Sequence, residues 1–294
     1  MGLISLSIGA VMFVSAVDAQ DQFAASVFRA CKNGTVLVAA HRGGYADDKS
    51  AQAPENSIAN LQLAIKKGFD VYETDIQRTA DGVFVIVHDA TVDRELNGSG
   101  AASDMMLAQL KSLFKRFRDG TISDQRVATL EELLVAGKDR ILFKPDLKPG
   151  IIDRFDELAR LINRLGMNEQ VFLRTEFRNA AQIKKCFEQG TPRVEVMFKT
   201  KNVSQVQSII DQFHPLTIQV DLANGESISN EKKMAIQQAT KAGVLVETHI
   251  YSDTDQWKQL VELGVRMFHT TKPDAALVYL KNSGRRVGLP FGKQ

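Results

Sequence analysis

Val71-Tyr72-Glu73-Thr74-Asp75-Ile76-Gln77 is the stretch on which the reading of this chain turns. It has the β-branched and aromatic content of a strand, and side chains two apart on a strand share a face, so Glu73 and Asp75 project together. Short apolar runs of the same kind occupy 36–40, 141–147, 171–174, 194–198, 217–222, 244–250 and 266–270. Stretches of helical period separate them at 57–67, 130–137, 153–165, 179–189, 203–213, 229–242, 254–263 and 273–281. Repeated βα units predict a parallel sheet, and about eight of each is the number that closes a barrel. The expected fold is α/β, a (β/α)8 TIM barrel making one domain over 20–294, with a doubly wound open sheet as the alternative. Gly166, Gly190, Gly243 and Gly264 stand where helices should end in left-handed caps.

One further strand, 84–87, follows Asp81-Gly82, a dipeptide suited to a tight hairpin turn. Beyond His88 the chain runs to Arg126 through Asn97-Gly98-Ser99-Gly100 and Asp119-Gly120. That is too long for an ordinary connection, so residues about 89–126 are expected as an insertion after the second barrel strand, passing over one face of the barrel.

Composition supports a globular enzyme: 44% of the 294 residues are hydrophobic and 24% charged. The 37 basic and 35 acidic side chains nearly cancel. No long-range field attracts nucleic acid or an anionic membrane, so phosphate recognition should be local. Residues 3–17 carry no charge and run into Val17-Asp18-Ala19, a small-x-small arrangement of the kind signal peptidase accepts. Residues 1–19 therefore read as a signal peptide, with export to a periplasm or beyond the cell and a mature chain from Gln20. No Lys or Arg precedes the apolar run, which leaves an uncleaved anchor or a mis-assigned start as the other readings, although the run is short for a membrane span. Leu6 stands where a myristoylation signal wants Ser or Thr. Cys31 and Cys186 fit no metal-ligand spacing, and either a disulfide or two free thiols is compatible with them. The sequence does not fix an oligomeric state.

Polar residues at the ends of barrel strands matter most, because the carboxy-terminal rim is where such barrels build their sites. In order they are His41-Arg42, Glu73 with Asp75, His88-Asp89, Asp146 with Lys148, Arg174, Lys199, Asp221, Glu247 with His249, and His269. Two carboxylates on one inward face need neutralising, which a hard divalent cation such as Mg2+ or Ca2+ does through oxygen ligands. Asp146, ending the next barrel strand, completes a trio. Alternatively, the carboxylates form a salt-bridge cluster with Arg42, Lys144 and Lys148. His41 and His88 follow two apolar strands, and imidazole, titrating near about 6.5, suits proton transfer. Arg42 offers a bidentate fork for phosphate oxygens, and Gly43-Gly44 lets backbone come close.

Several motifs stand in a telling order: His41-Arg42-Gly43-Gly44, Pro54-Glu55-Asn56-Ser57, Glu73-Thr74-Asp75-Ile76, Thr79-Ala80-Asp81-Gly82, Val87-His88-Asp89-Ala90-Thr91-Val92-Asp93-Arg94 and Thr129-Leu130-Glu131-Glu132-Leu133-Leu134. With Asp146-Leu147-Lys148 and Thr270-Thr271-Lys272-Pro273-Asp274 they cover most of the chain, and together they resemble the glycerophosphodiester phosphodiesterase family. The resemblance implies a TIM-type barrel with a loop region inserted after the second strand. It also implies Glu73, Asp75 and Asp146 as ligands of one divalent cation, His41 and His88 as the acid/base pair, and Arg42 and Lys148 as phosphate-binding cations. Glu55 matches the acidic residue of the Pro-Glu-Asn motif and is grouped with the substrate-binding residues, most naturally through an orienting hydrogen bond near His41 or Arg42.

The chain departs from the family's pattern in three places. Tyr45 to Gln52 separate the His-Arg-Gly motif from the Pro-Glu-Asn motif, so the first rim loop is expected to reach the site differently. Asp146 stands where many members have Glu. Val246-Glu247-Thr248-His249 replaces a segment that commonly shows Trp and Asn, which leaves Glu247 as an ion-pair partner or a head-group contact and His249 and His269 as supporting residues. The implied activity is metal-dependent hydrolysis of a small-molecule glycerophosphodiester to an alcohol and glycerol 3-phosphate. The alternatives are the same chemistry on a lysophospholipid or sugar phosphodiester, a phosphodiester-binding protein without turnover, and a purely structural or interaction barrel, which would not need so many charged groups at strand ends.

Overall fold

The β-type runs meet edge to edge in the computed structural model, which describes residues 16–45 and 51–287. In chain order the strands are β1 (Leu37–Ala40), β2 (Val71–Arg78), β3 (Phe84–Ile86), β4 (Phe114–Arg116), β5 (Ile122–Arg126), β6 (Leu142–Leu147), β7 (Phe172–Glu176), β8 (Glu195–Thr200), β9 (Thr217–Val220), β10 (Leu245–His249) and β11 (Val265–Thr270). The helices are α1 (Ala16–Lys32), α2 (Ile58–Lys67), α3 (Leu107–Ser112), α4 (Leu130–Gly137), α5 (Phe155–Arg164), α6 (Ala180–Glu188), α7 (Val203–Phe213), α8 (Asn230–Lys241), α9 (Thr254–Leu263) and α10 (Pro273–Asn282). β1, β2 and β6 to β11 are neighbours in order, and β1 pairs in parallel with both β2 and β11, which closes the barrel. A helix follows each barrel strand: α2 after β1, α4 after β2 and its insertion, and α5 to α10 after β6 to β11. The TIM barrel expected from the sequence is the fold found.

Local chemistry sets the element ends. The Ser57 hydroxyl accepts the Asn60 backbone N–H, so Ser57 caps α2 and stays outside it. Thr129 and Glu132 cap α4 reciprocally. Ahead of α5 the predicted helix opens with a 3-10 turn at Ile152–Arg154.

Burial divides the molecule into layers. Outward strand residues such as Val38, Tyr72, Phe143 and Phe198 pack under the helices in the main apolar cluster. Inward residues at the amino-terminal end of the barrel, among them Val71, Leu142, Phe172 and Met267, form a second cluster, closed from below by Ala24, Val27 and Cys31 of α1. Because strands alternate faces, the next inward positions toward the rim are polar: Glu73 and Asp75 on β2, Lys144 and Asp146 on β6, Arg174 on β7, Glu247 on β10.

The insertion has structure of its own. β3 returns antiparallel against β2, and beyond it α3 and the β4–β5 hairpin gather round Val85, Val87, Val92, Leu96, Leu110 and Val127. The predicted signal peptide at 1–19 lies mostly outside the described residues, as do residues 46–50 of the long first rim loop. Among the described residues, no helix is long and apolar enough to cross a membrane. Both cysteines are free, and burial pushes the Cys31 thiol up to about 12.

Candidate active site

Strand register brings the carboxylates together. Asp75 lies opposite Asp146 across the β2–β6 pair, and Asp146 lies opposite Arg174 across β6–β7. Glu73, Asp75 and Asp146 each offer an oxygen within 4.8 Å of the others. Glu73 and Asp75 are almost wholly buried. For Asp75, burial and the neighbouring Glu73 push the carboxyl up to about 8, against the pull of Lys148. Burial also opposes ionisation of Glu73, but His41, His269 and Lys144 outweigh it and hold that carboxyl well below the usual carboxylate range. In this arrangement the trio keeps a proton near neutral pH. An all-oxygen donor set with excess negative charge is what a hard divalent cation requires, so these residues fit one.

Cations flank the trio. Lys148 Nζ stands 2.7 Å from Asp75 Oδ1 and 3.3 Å from Asp146 Oδ2. Arg174 Nη1 donates to Asp146 Oδ1 at 2.6 Å. Arg42 Nε lies 3.5 Å from Asp75 Oδ2, and the Arg42 backbone N–H donates to Glu73 Oε2 at 2.7 Å. The salt-bridge alternative from the sequence is thus partly realised, with one correction. Lys144 leaves the carboxylate trio and donates both to Glu247 Oε1 at 2.7 Å and to Glu247 Oε2 at 2.8 Å, a pair with no exposure on either side. Of the two readings of Glu247, the structure shows the ion-pair partner.

His41 and His88 approach the trio from different strands. His41 Nε2 is 4.0 Å from Glu73 Oε2, and His88 Nε2 is 3.9 Å from Asp75 Oδ1. His88 Nδ1 meets Asp89 Oδ1 at 2.5 Å. Burial pulls the His41 imidazole down to about 4, more strongly than Glu73 lifts it. His88 is lowered too, by burial working against Asp89. Both rings are therefore neutral at ordinary pH. His269 sits deeper, with Nε2 3.7 Å from Glu73, and burial holds it well below the ordinary imidazole value.

The turn after β1 is strained where it carries this chemistry. Arg42 has φ of 50°, in the left-handed region that any side chain with a Cβ adopts at a cost. Gly43 is required by packing: a Cβ there would lie 1.6 Å from Asn60 Oδ1 and 2.3 Å from a Tyr72 ring carbon. Glu55 is buried, with Arg94 Nη1 at 2.6 Å, Arg42 Nη1 at 3.2 Å and Arg118 Nη1 at 3.4 Å. Arg42 and Arg94, overcoming the effect of burial, hold its carboxyl below the usual range. Its contacts are those of a residue that orients guanidinium groups.

Four contributors carried no role in the sequence reading. Asn56 donates to Asp75 Oδ2 at 3.3 Å and accepts from Thr74 Oγ1 at 2.9 Å. Arg94 bridges Asp89 and Glu55, at 2.6 Å to each. The motifs around Asn56 and Arg94 were a signal for both. Arg174 was visible only as a polar strand end. Arg118 comes from the insertion, 63 residues from its partner Glu55, and had no local signal.

Fold and site together define a (β/α)8 barrel whose carboxy-terminal rim brings three carboxylates that could hold a cation together with two imidazoles and several cationic side chains. Over residues 41–275 the sequence matches the glycerophosphoryl diester phosphodiesterase family, and the chain belongs to that family. A glycerophosphodiester phosphodiesterase of Caldanaerobacter subterraneus is 36% identical over 143 residues, covering 47% of this chain and 56% of that protein. The chain thus spans roughly half the length of the curated relatives it matches. Among solved structures, a glycerophosphoryl diester phosphodiesterase from Parabacteroides distasonis superposes with a TM-score of 0.76 at 22% identity, covering 92% of this chain and 95% of the other. A phosphodiesterase from Oleispira antarctica, solved in complex with the product sn-glycerol-3-phosphate, gives 0.64 at 19% identity over 85% and 99%.

Proposed function

We propose that the protein hydrolyses glycerophosphodiesters to an alcohol and glycerol 3-phosphate, using one divalent cation, Mg2+ or Ca2+, and the imidazoles of His41 and His88. The observation that carries this reading is the convergence of both imidazoles, each about 4 Å away, on a carboxylate trio built from two neighbouring strands. A divalent ion held by Glu73, Asp75 and Asp146 would supply Lewis-acid charge at the phosphoryl group. Arg42 and Lys148 bind the phosphate oxygens and stabilise the charge that builds on them. Asp89 on Nδ1 fixes His88 in the tautomer whose Nε2 is an acceptor, which fits His88 to taking a proton from the attacking hydroxyl or water. His41, neutral in the empty site, serves the departing oxygen once the negative charge of a bound phosphodiester favours its imidazolium form, which then gives up its proton. Glu55 orients Arg42.

Beyond Asp146 the rim continues as a charged arc, with Lys199 3.2 Å from Asp221 and 3.7 Å from Glu176. The stacked rings of His249 and Tyr251, 4.7 Å apart, lie alongside it. This arc favours a polar alcohol over an acyl chain, so the same chemistry on a sugar phosphodiester is the second reading. The similarity to the product complex from Oleispira antarctica supports the first. Export, through a leader at residues 1–19, belongs to the proposal as well.

The test is turnover of glycerophosphocholine with release of glycerol 3-phosphate followed. His41→Ala and His88→Ala should each reduce kcat by about 10²–10⁴-fold while the barrel folds. Retained turnover in both variants would remove the acid/base assignment.

A further inference from the structure

The insertion contains a charge pair that its apolar core does not call for. Glu95 is 1% exposed and Lys115, on β4, 0%. Lys115 Nζ stands 3.6 Å from Glu95 Oε2, and neither atom has a hydrogen-bond partner among the described residues. Taking charges out of water costs several kcal/mol per ion, and an apolar pair of similar volume is often as stable or more so. Stability therefore gives no reason for the pair. A carboxylate at 95 does what no apolar side chain can: its Oε1 accepts the backbone N–H of His88 at 2.8 Å, the backbone N–H of Asp89 at 3.1 Å, and Arg94 Nη2 at 3.2 Å.

We propose that Glu95 and Lys115 are positioning residues: Glu95 fixes the backbone of the 88–89 turn so that the His88 imidazole faces Asp75, and Lys115 holds and neutralises the far oxygen of Glu95. The proposal rests on the reading of His88 as a catalytic residue. Lys115 is well placed for the task, because its own backbone is tied down. It bridges Leu96, its carbonyl accepts from Ser123 Oγ at 2.8 Å, and the adjacent Arg116 N–H donates to the Glu95 carbonyl at 2.6 Å. The β4–β5 hairpin is thereby connected through one carboxylate to the turn that carries the imidazole. The insertion acts as a brace for the acid/base group.

Two double variants of the full chain separate positioning from mere support. Glu95→Leu with Lys115→Met replaces the pair by apolar groups and should fold, since no unpaired charge remains, yet it removes the acceptor for both N–H groups. Its kcat for glycerophosphocholine should fall about 10–100-fold, the scale of a misplacement near 1 Å, with KM within about threefold of the native value. Glu95→Gln with Lys115→Met keeps a carbonyl acceptor without either charge and should recover most of that kcat. A pair that only supports the fold would move the melting temperature and leave kcat per folded molecule unchanged. Native kcat in the folded Leu/Met variant overturns the proposal, as does equal loss in both double variants. His88→Ala, assayed alongside, distinguishes the two levels. Loss of turnover there with native kcat in the Leu/Met variant ends the positioning claim alone, whereas native turnover in His88→Ala ends the catalytic reading beneath it.

Discussion

Replacing Lys144 by Met should leave the buried Glu247 carboxylate without its hydrogen-bonded cation in the middle of the barrel, with only the more distant Arg174 still favouring its charge and a pH signature that identifies the cause. Both side chains have no exposure, and Lys144 supplies two hydrogen bonds to the Glu247 carboxylate. Burial already raises the Glu247 carboxyl above its ordinary value, against the pull of Lys144. Without Lys144 the carboxyl escapes its unpaired charge by taking a proton. Taking its ordinary value as 4.5, that uptake costs about 1.4 kcal/mol per pH unit above it, so the charge penalty is limited to about 5 kcal/mol at pH 8 and about 1 kcal/mol at pH 5. The ceiling at pH 8 agrees with the roughly 3–5 kcal/mol typical of breaking a buried pair. The sign follows from linkage. A carboxyl whose folded-state pKa is raised contributes stability that is fully present below its unfolded value and is lost as pH rises through the folded value. Urea unfolding of the native and variant chains, side by side at both pH values, measures the difference. The variant should be several kcal/mol less stable at pH 8, with most of the gap closing by pH 5, and Glu247→Leu added to Lys144→Met should restore much of the loss. A penalty equal at both pH values would show that packing is responsible and that the charge argument is wrong.

Divalent-ion binding should release a proton near neutral pH, because burial and Glu73 hold Asp75 at about 8 and the ion needs its carboxylate; calorimetry in two buffers of different ionisation enthalpy counts it, and no release between pH 6 and 7 would contradict the site. Glu55→Gln should raise KM for the diester several-fold more than it lowers kcat, because Arg42, Arg94 and Arg118 lose the carboxylate they share, and an unchanged KM would separate Glu55 from phosphate binding. Cys31, buried against the amino-terminal end of the barrel with its thiol near 12, should resist a thiol reagent in the native protein and react on unfolding, whereas rapid native labelling would show that α1 does not seal the barrel.

The barrel was legible because each barrel strand carried a short apolar run and each helix that follows one a cap or a left-handed glycine, signals that act within a few residues. Glu73 and Asp75 were legible as a pair for the same reason, since strand alternation alone puts them on one face. Partners across the barrel were not. Lys144 and Glu247 lie 103 residues apart, and their pairing depends on which inward positions share a layer once the sheet closes. Lys144 therefore read as a companion of its nearest acidic neighbours. The same limit hid Arg174, whose contact with Asp146 follows from the β6–β7 register. In the insertion, turn-forming residues concealed α3 and the β4–β5 hairpin, and the buried charges at Glu95 and Lys115 read as ordinary surface residues. α1 went unread because its first residues belong to the uncharged stretch taken as a leader, although Ala24, Val27 and Cys31 follow a helical spacing.

Hydrolysis of glycerophosphocholine before and after chelation, in the native chain and in Asp75→Asn, tests the central claim most directly. The native chain should lose turnover in chelator and regain it when Mg2+ or Ca2+ is restored, and Asp75→Asn should stay inactive whichever ion is supplied. Full turnover of the native chain in excess chelator, or of Asp75→Asn under any condition, would contradict a cation gathered by these three carboxylates.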